Sequence, residues 1–204
     1  MNKIYKIVSA LLLTGALSLL SVASFGQSST TGFAPGKGYK QVNFGFELEG
    51  WGFPVYAGMD FGVGKFITIG PRVVVGTKGD SREMDVLNSN REWDKAKISS
   101  RTTVVVPSFR GDYHFSGHIS GLPAELDLYG GLTFGVAVFH SSTNYHYNGQ
   151  LVEGYEFPET EPTTSSDAKL WAQAGARYFF NPKWAAQLEV TSTSNAILGL
   201  TYRL

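Results

Sequence analysis

Two alternating segments joined by a tight turn constrain the fold of this chain more than any other stretch. The stretch runs from Leu170 to Val190 and reads LWAQAGARYFFNPKWAAQLEV. Period-two alternation predicts strands, because successive side chains on a strand point to opposite faces. The Asn181-Pro182-Lys183 step predicts a hairpin turn, because proline cannot donate to a ladder. Aromatic residues gather where both strands meet this turn, as rings do at a water–lipid interface, so the hairpin is predicted to belong to a transmembrane β-barrel.

The start of the chain has the pattern of an export signal. Lys3 and Lys6 supply positive charge, the run Ile7–Ala23 holds none, and small residues precede a predicted cleavage after Gly26. This apolar run is slightly shorter than the ~20 residues that a spanning helix needs. We therefore expect residues 1–26 to be a cleaved secretory signal peptide, with an uncleaved membrane anchor as the alternative.

Composition excludes several function classes. The chain has 17 basic and 17 acidic residues; without Lys3 and Lys6, fifteen basic residues face seventeen acidic ones, so residues 27–204 carry a net charge of −2. A nucleic-acid surface needs a basic footprint, so no nucleic-acid partner is expected. The chain has no cysteine, so burial and ladder hydrogen bonds must stabilise it without disulfides. No ligand spacing is evident among the histidines, and neither a cofactor nor a metal is expected.

Alternating segments recur through residues 39–204 and predict eight strands, preceded by a flexible segment at residues 27–38 that is rich in Ser, Thr and Gly. The predicted strands are Tyr39–Glu49, Val55–Val63, Phe66–Gly76, Arg101–Phe115, Glu125–Phe139, the two arms of the hairpin, and Ala196–Leu204.

The connections between these segments alternate between long and short. Residues 77–99 and 140–167 are polar and read as long loops, whereas the links near Gly64, Ser116 and Asn181 are short. Bacterial barrels have long external loops, short periplasmic turns and an even number of strands. The sequence therefore predicts an eight-stranded, antiparallel, up-and-down transmembrane β-barrel in the outer membrane, in contact with outer-membrane lipid and present as a monomer.

Three short stretches resemble a known family. They are the terminal strand Gly199-Leu200-Thr201-Tyr202-Arg203-Leu204, the Tyr-Phe-Phe-Asn-Pro turn, and Asp112-Tyr113-His114-Phe115. Together they resemble the small outer-membrane β-barrel (porin-like) family of Bacteroidota-type bacteria, over residues 39–204. The resemblance implies a fold and a location rather than an activity. The terminal strand looks like the signal that the barrel-assembly machinery reads, with Leu204 in place of the commoner Phe.

Two residue sets follow from the predicted faces. An eight-stranded barrel is just wide enough for side chains, and charges away from water must be paired. Inward charges therefore predict an ion-pair network that fills the lumen, with a narrow pore or proton path as the alternative. Its members are Glu47, Glu49, Asp60, Arg72, Arg110, Asp112, Asp127, Lys169, Arg177, Glu189 and Arg203. A periplasmic aromatic girdle is predicted from Tyr113, Phe115, Tyr178, Phe180, Trp184 and Tyr202.

The expected function is non-catalytic: a structural barrel, or one that interacts through residues 77–99 and 140–167. One alternative is an enzyme. His140 and Ser142 continue a lipid-facing row, and with Glu153 they resemble the arrangement of outer-membrane lipid A deacylases, because a base beside a hydroxyl, oriented by an acid, is what nucleophilic catalysis requires. The other alternative is a soluble, lipocalin-like barrel, which would keep its apolar face inside around a small apolar ligand.

Overall fold

The computed structural model describes residues 33–48, 54–193 and 196–204. Eight antiparallel strands follow one another around a closed ring, and β1 pairs with both β2 and β8, so the predicted fold is confirmed. In the described residues no helix is long and apolar enough to cross a membrane. The strands are β1 (Lys40–Leu48), β2 (Val55–Gly62), β3 (Ile67–Leu87), β4 (Trp93–His114), β5 (Leu126–His146), β6 (Thr163–Phe179), β7 (Trp184–Thr191) and β8 (Ala196–Arg203).

Side chains alternate between the lumen and the exterior on the faces that the sequence predicts. On β1, Gln41 and Asn43 are buried inside the ring, whereas Phe44 and Phe46 are exposed outside it. This is the reverse of the arrangement that a soluble, lipocalin-like barrel requires. Other large apolar side chains on the exterior are Val55, Ile67, Val73, Phe109, Leu132, Phe134, Leu170, Leu188, Leu198 and Leu200.

The long loops predicted at residues 77–99 and 140–167 are shorter than expected, because strands occupy residues 77–87, 93–99, 140–146 and 163–167 and leave connections only at residues 88–92 and 147–162. β3 and β4 have 21 and 22 residues and pair without a break from Ile67–Tyr113 to Leu87–Trp93. β5 continues to His146, and β6 begins at Thr163. Polar residues occupy both faces of these extensions, so the alternation that marks a strand in the sequence disappears although the backbone stays extended.

These extensions form a four-stranded sheet that rises beyond the ring. β2 pairs with β3 no further than Val75, and β7 pairs with β6 only from Gln173 to Phe179. We call the part above these limits the projecting sheet; it comprises residues 77–87, 93–103, 140–146 and 163–167. One of its faces continues the lumen and is called the inner face, and the other continues the apolar exterior and is called the outer face.

The connection between β5 and β6, residues 147–162, folds back onto the tip of the projecting sheet. The Ser89 amide donates to the carbonyl of Gln150 at 2.9 Å, and the Val152 amide donates to the carbonyl of Leu87 at 3.0 Å. These bonds attach the connection to the β3–β4 hairpin.

A small apolar core lies on the inner face at this tip. Val86 and Ala96 are each 1% exposed and Ile98 is 8% exposed. Nearby, the rings of Tyr145 and Phe157 stack with centroids 5.0 Å apart. The tip is therefore stabilised by apolar burial in the way a soluble sheet is.

The opposite end of the ring holds both chain ends of the barrel and the three short connections. Phe33 is buried there and stacks on Phe179 with ring centroids 5.4 Å apart. The Arg203 guanidinium carbon lies 4.2 Å from the Phe179 centroid and 5.4 Å from that of Phe33. Residues 33–38 of the predicted flexible segment thus lie across this end of the lumen, and the Gly38 amide donates to Gly62.

Candidate functional site

The lumen contains a continuous network of buried charges, and Glu189 is its centre. Arg72 Nη1 donates to Glu189 Oε1 at 2.9 Å, while Arg110 Nη2 and the Tyr129 hydroxyl each donate to Oε2 at 2.8 Å. Arg72 also forms a short ion pair with Glu47. Because these residues come from β1, β3, β4, β5 and β7, the contacts cross the lumen rather than follow its wall.

A second group of charges lies closer to the end of the ring that holds the chain termini. Asp60 Oδ2 accepts hydrogen bonds from Arg177 Nη2 at 2.9 Å and from Gln41 Nε2 at 2.7 Å. Arg177 Nη1 donates to Asp127 Oδ2 at 3.2 Å, and the other oxygen of Asp127 lies 2.7 Å from His114 Nδ1. This group therefore joins β1, β2, β4, β5 and β6.

Arg110 connects the two groups. Its Nε donates to Asp112 Oδ2 at 2.7 Å and lies 4.0 Å from Asp60 Oδ1. The side chains in these ion pairs are between 0 and 9% exposed. A charge buried this deeply needs a partner, and the contacts supply one to each of these groups while filling the barrel.

Of the three remaining predicted members of the network, two are placed differently. Glu49 lies outside the described residues. Lys169 is half-exposed and pairs with Asp167 at 3.3 Å, in the upper part of the ring. Arg203 lies below the network, against the rings of Phe33 and Phe179, where its positive charge faces aromatic π-systems.

Sequence reasoning based on charge missed the uncharged partners of the network. The Tyr129 ring lies 4.1 Å from the Arg177 guanidinium carbon, and its side chain is fully buried. Gln187 accepts from the Thr201 hydroxyl at 3.1 Å. Strand parity could have predicted them, because these residues share the inward face with the charged residues.

Above the network the inner wall of the ring becomes apolar. Here lies a recess of about 270 Å³, with Glu47 and Lys169 at its polar edges. Val104 and Val106 line it, whereas Val105 points outward. The remaining lining residues are Pro54, Val74, Ala137, Phe139, Trp171, Thr191 and Thr193.

The six predicted girdle residues all lie at the end of the ring with the short connections. Tyr178 and Phe180 are exposed on the exterior. Trp184 contacts Tyr202, with ring centroids 4.8 Å apart. The other two, Tyr113 and Phe115, are partly buried beside the short 3-10 helix Ser116–His118, and the Tyr113 hydroxyl lies 2.7 Å from His118 Nε2.

The three residues of the enzyme alternative are not joined by hydrogen bonds in the described structure. His140 and Ser142 share the outer face, as predicted, but His140 Nδ1 lies 3.1 Å from the hydroxyl of Thr164. Glu153 lies in the connection at the tip of the projecting sheet. The described residues also contain no group of three or more acidic, His or Cys side chains arranged to hold a metal.

Local interactions on the projecting sheet shift two pKa values. The hydrogen bond and charge of Asp85, whose carboxylate lies 2.6 Å from the Lys95 ammonium, raise the pKa of Lys95. Desolvation and a 2.9 Å hydrogen bond to Asp94 raise the pKa of Tyr147. Both contacts tie neighbouring segments at the tip.

No protein-family model matches this chain, and no curated protein matches it in sequence. Among solved structures, Ail of Yersinia pestis in complex with the heparin analogue sucrose octasulfate is 12% identical, with a TM-score of 0.49, covering 82% of this chain and 99% of Ail. The N-terminal barrel domain of Pseudomonas aeruginosa OprF is 11% identical, with a TM-score of 0.45 and coverages of 83% and 99%. OprG from the same organism is 12% identical, with a TM-score of 0.44 and coverages of 86% and 99%. At these values the likeness says nothing about function.

Proposed function

We propose that this chain is an outer-membrane barrel protein of porin-like type, from a Bacteroidota-type bacterium as its sequence resemblance implies, that conducts no solute and performs no catalysis. The barrel anchors and positions the projecting sheet, and the sheet carries the interaction surface. The observation that supports this most directly is the pairing of an apolar exterior with a lumen that is filled by ion pairs.

The exterior supports a position in a lipid bilayer. Phe109, Leu132, Phe134 and Leu170 are each more than half exposed on neighbouring strands. Water would oppose such a surface, whereas hydrocarbon accepts it. β1 and β2, which stay within the ring, have nine and eight residues, close to the ~9–11 residues of a transmembrane strand.

The lumen supports the absence of conduction. The contacts of Glu189 with Arg72 and Arg110 join β7 to β3 and β4, and those of Arg177 join β6 to β2 and β5. A solute would have to break several buried charged hydrogen bonds at once, each of which contributes ~1.5–3 kcal/mol. The ring of Phe33 adds a further obstruction at the end with the chain termini.

The projecting sheet supports an interaction role. Four strands continue past the ring in one ordered piece, and residues 147–162 are fastened to its tip. Trp93 is 77% exposed and Tyr155 is 38% exposed there. Aromatic side chains of this kind anchor protein interfaces.

Bilayer recording of the full chain tests the closed lumen. The protein is inserted into planar bilayers, and insertion is established separately by a mobility difference between boiled and unboiled samples on a denaturing gel. We expect a heat-modifiable barrel without conductance steps. Stable, voltage-independent openings of the unaltered protein would contradict the closed lumen, and a chain that stays soluble without detergent and shows no mobility difference would contradict the membrane location.

A further inference from the structure

The outer face of the projecting sheet changes from apolar to polar within one row of residues. The last apolar row consists of Val75, Val105 and Val138, which pair across β3, β4 and β5. The next row on the same face consists of Thr77, Thr103, His140 and Thr164. The boundary of the proposed hydrocarbon layer therefore lies between these two rows.

A polar recess begins one row further out and covers two rows of residues. It has a volume of about 430 Å³ and spans β3, β4 and β5. Gly79 helps to open it: a Cβ added there would meet nothing nearer than Ser100 O at 3.9 Å. Asp80 and Ser100 also border the recess, although their strand parity directs their side chains to the inner face. The outer-face lining consists of Gly79, Ser81, Ser99, Arg101, Ser142 and Asn144.

Arg101 gives this recess an available positive charge. No hydrogen bond or ion pair joins its guanidinium to any residue in the described ranges. The outer-face acids of β3, Glu83 and Asp85, lie further toward the tip, where Glu83 stands opposite Lys97 and Asp85 pairs with Lys95. The recess therefore presents a guanidinium, hydroxyls and an amide, with no carboxylate on its own face.

The height of Arg101 above the apolar band fits the headgroup layer. Arg101 precedes Val105 by four residues on β4, which places it ~14 Å along the strand toward the tip of the projecting sheet. With the usual tilt of ~40°, this places Arg101 roughly 10 Å above the last apolar row. Headgroups extend ~5–8 Å beyond the hydrocarbon on each side, and a long arginine side chain can reach down to them.

We propose that this recess binds the phosphate of an anionic membrane lipid in the leaflet on the side of the projecting sheet. Arg101 supplies a two-pronged donor for phosphate oxygens, and the hydroxyl of Ser142, which pairs with Arg101 across β4 and β5, supplies a further donor. The lipid chains then continue downward along the apolar row of Val75, Val105 and Val138. This inference rests on the proposed membrane location, because only a bilayer brings a lipid phosphate to this height.

Native mass spectrometry of the detergent-solubilised full chain tests the site. The probe is dioleoyl phosphatidic acid, with dioleoyl phosphatidylcholine as the reference lipid. We expect Arg101→Ala to bind phosphatidic acid about tenfold more weakly, the equivalent of one lost charged hydrogen bond. Arg82→Ala is the matched control, because it removes an arginine from the inner face of the same sheet and should leave binding unchanged.

Gly79→Glu is a second variant, which fills the recess without removing a side chain. Its carboxylate would pair with Arg101 and should abolish the preference for phosphatidic acid. Unchanged binding by this variant, or equal losses in Arg101→Ala and Arg82→Ala, would overturn the site. Displacement of the lipid by inorganic phosphate would assign the recess to a soluble anion and overturn the lipid assignment.

Heat-modifiability of each variant separates the two proposals. If the unaltered protein and Arg101→Ala both keep the mobility shift but bind phosphatidic acid equally well, the phosphate site alone is contradicted. Loss of the shift in the unaltered protein contradicts the membrane location, and the phosphate site with it.

Discussion

The ring and the tip of the projecting sheet are built from the same strands, yet their inner and outer faces have opposite polarity. Within the ring, β3 buries Arg72 on its inner face and exposes Val73 on the outside; near its tip, β3 buries Val86 on the same inner face and leaves Glu83 and Asp85 exposed on the outer face. The backbone continues through both regions without interruption. The difference shows that the surrounding medium, rather than the strand, decides which face is polar.

The two regions also reach stability by different routes. The ring contains charges whose pairing offsets a large desolvation cost, so their net contribution is small although the loss of one partner is expensive. The tip contains the apolar residues Val86, Ala96 and Ile98, whose burial is favourable in itself. Substitutions in the two regions should therefore differ in both size and mechanism.

The largest effect is expected from Glu189→Ala, which would leave Arg72 and Arg110 without their shared carboxylate. Removing one partner from a buried ion pair costs about 3–5 kcal/mol. Reversible unfolding in urea in the presence of lipid vesicles measures this loss. Asp167→Ala is the control, because its pair with Lys169 is more than half exposed, and it should cost less than about 1 kcal/mol. Equal losses would mean that the lumen is hydrated and that the ion pairs are not buried.

An intermediate loss of stability is expected from a pair of substitutions that compares lipid-facing and water-facing positions on the exterior. Phe134 and Ser81 both lie on the exterior, Phe134 within the apolar band and Ser81 on the projecting sheet. Phe134→Lys should destabilise the protein in a bilayer by about 2–4 kcal/mol, as lysine does near the bilayer midplane. Ser81→Lys should stay within about 0.5 kcal/mol, as most surface substitutions do. The same folding titration measures both, and a small cost at Phe134 would place that residue in water.

The smallest effect concerns the β3–β4 turn. Arg91 has a positive φ of 62°, a conformation that costs about 1–2 kcal/mol for a residue with a Cβ. Arg91→Gly should relieve this strain and slow local opening of the hairpin tip, with a net gain of about 0.5–1 kcal/mol after the entropy of glycine. Hydrogen exchange at the tip measures the change, and the amides of β7 serve as the internal reference. Faster exchange at the tip would show that the Arg91 side chain stabilises the turn by more than its strained backbone destabilises it.

The inside–outside assignment of the ring strands was readable from the sequence. Asp60, Arg177 and Glu189 were predicted to point inward, and the structure places each of them in the lumen. A strand with lipid on one side and paired charges on the other has a strong period of two, so its phase is visible without any tertiary information. The total of eight strands follows from counting such segments.

The extent of β3 to β6 was not readable in this way. Thr77–Thr103 and Ser100–Thr143 form cross-strand contacts between polar residues, and such residues are as common in loops as in strands. Both faces of the projecting sheet are largely polar along this part, so no alternation distinguishes extended from irregular backbone. The ends of these strands are decided by the pairing of β3 with β4, which joins residues as far apart in the chain as Ile67 and Tyr113.

The sequence by itself thus determined the closed barrel, its strand count and the polarity of each face, because these follow from local alternation. Only the tertiary structure decided which charges meet, since contacts such as Arg72–Glu189 and Asp60–Arg177 join residues more than one hundred positions apart. It also decided where the strands end and where Arg101 stands relative to the apolar band. These properties depend on the register between strands, and register is a relation between segments that no single segment encodes.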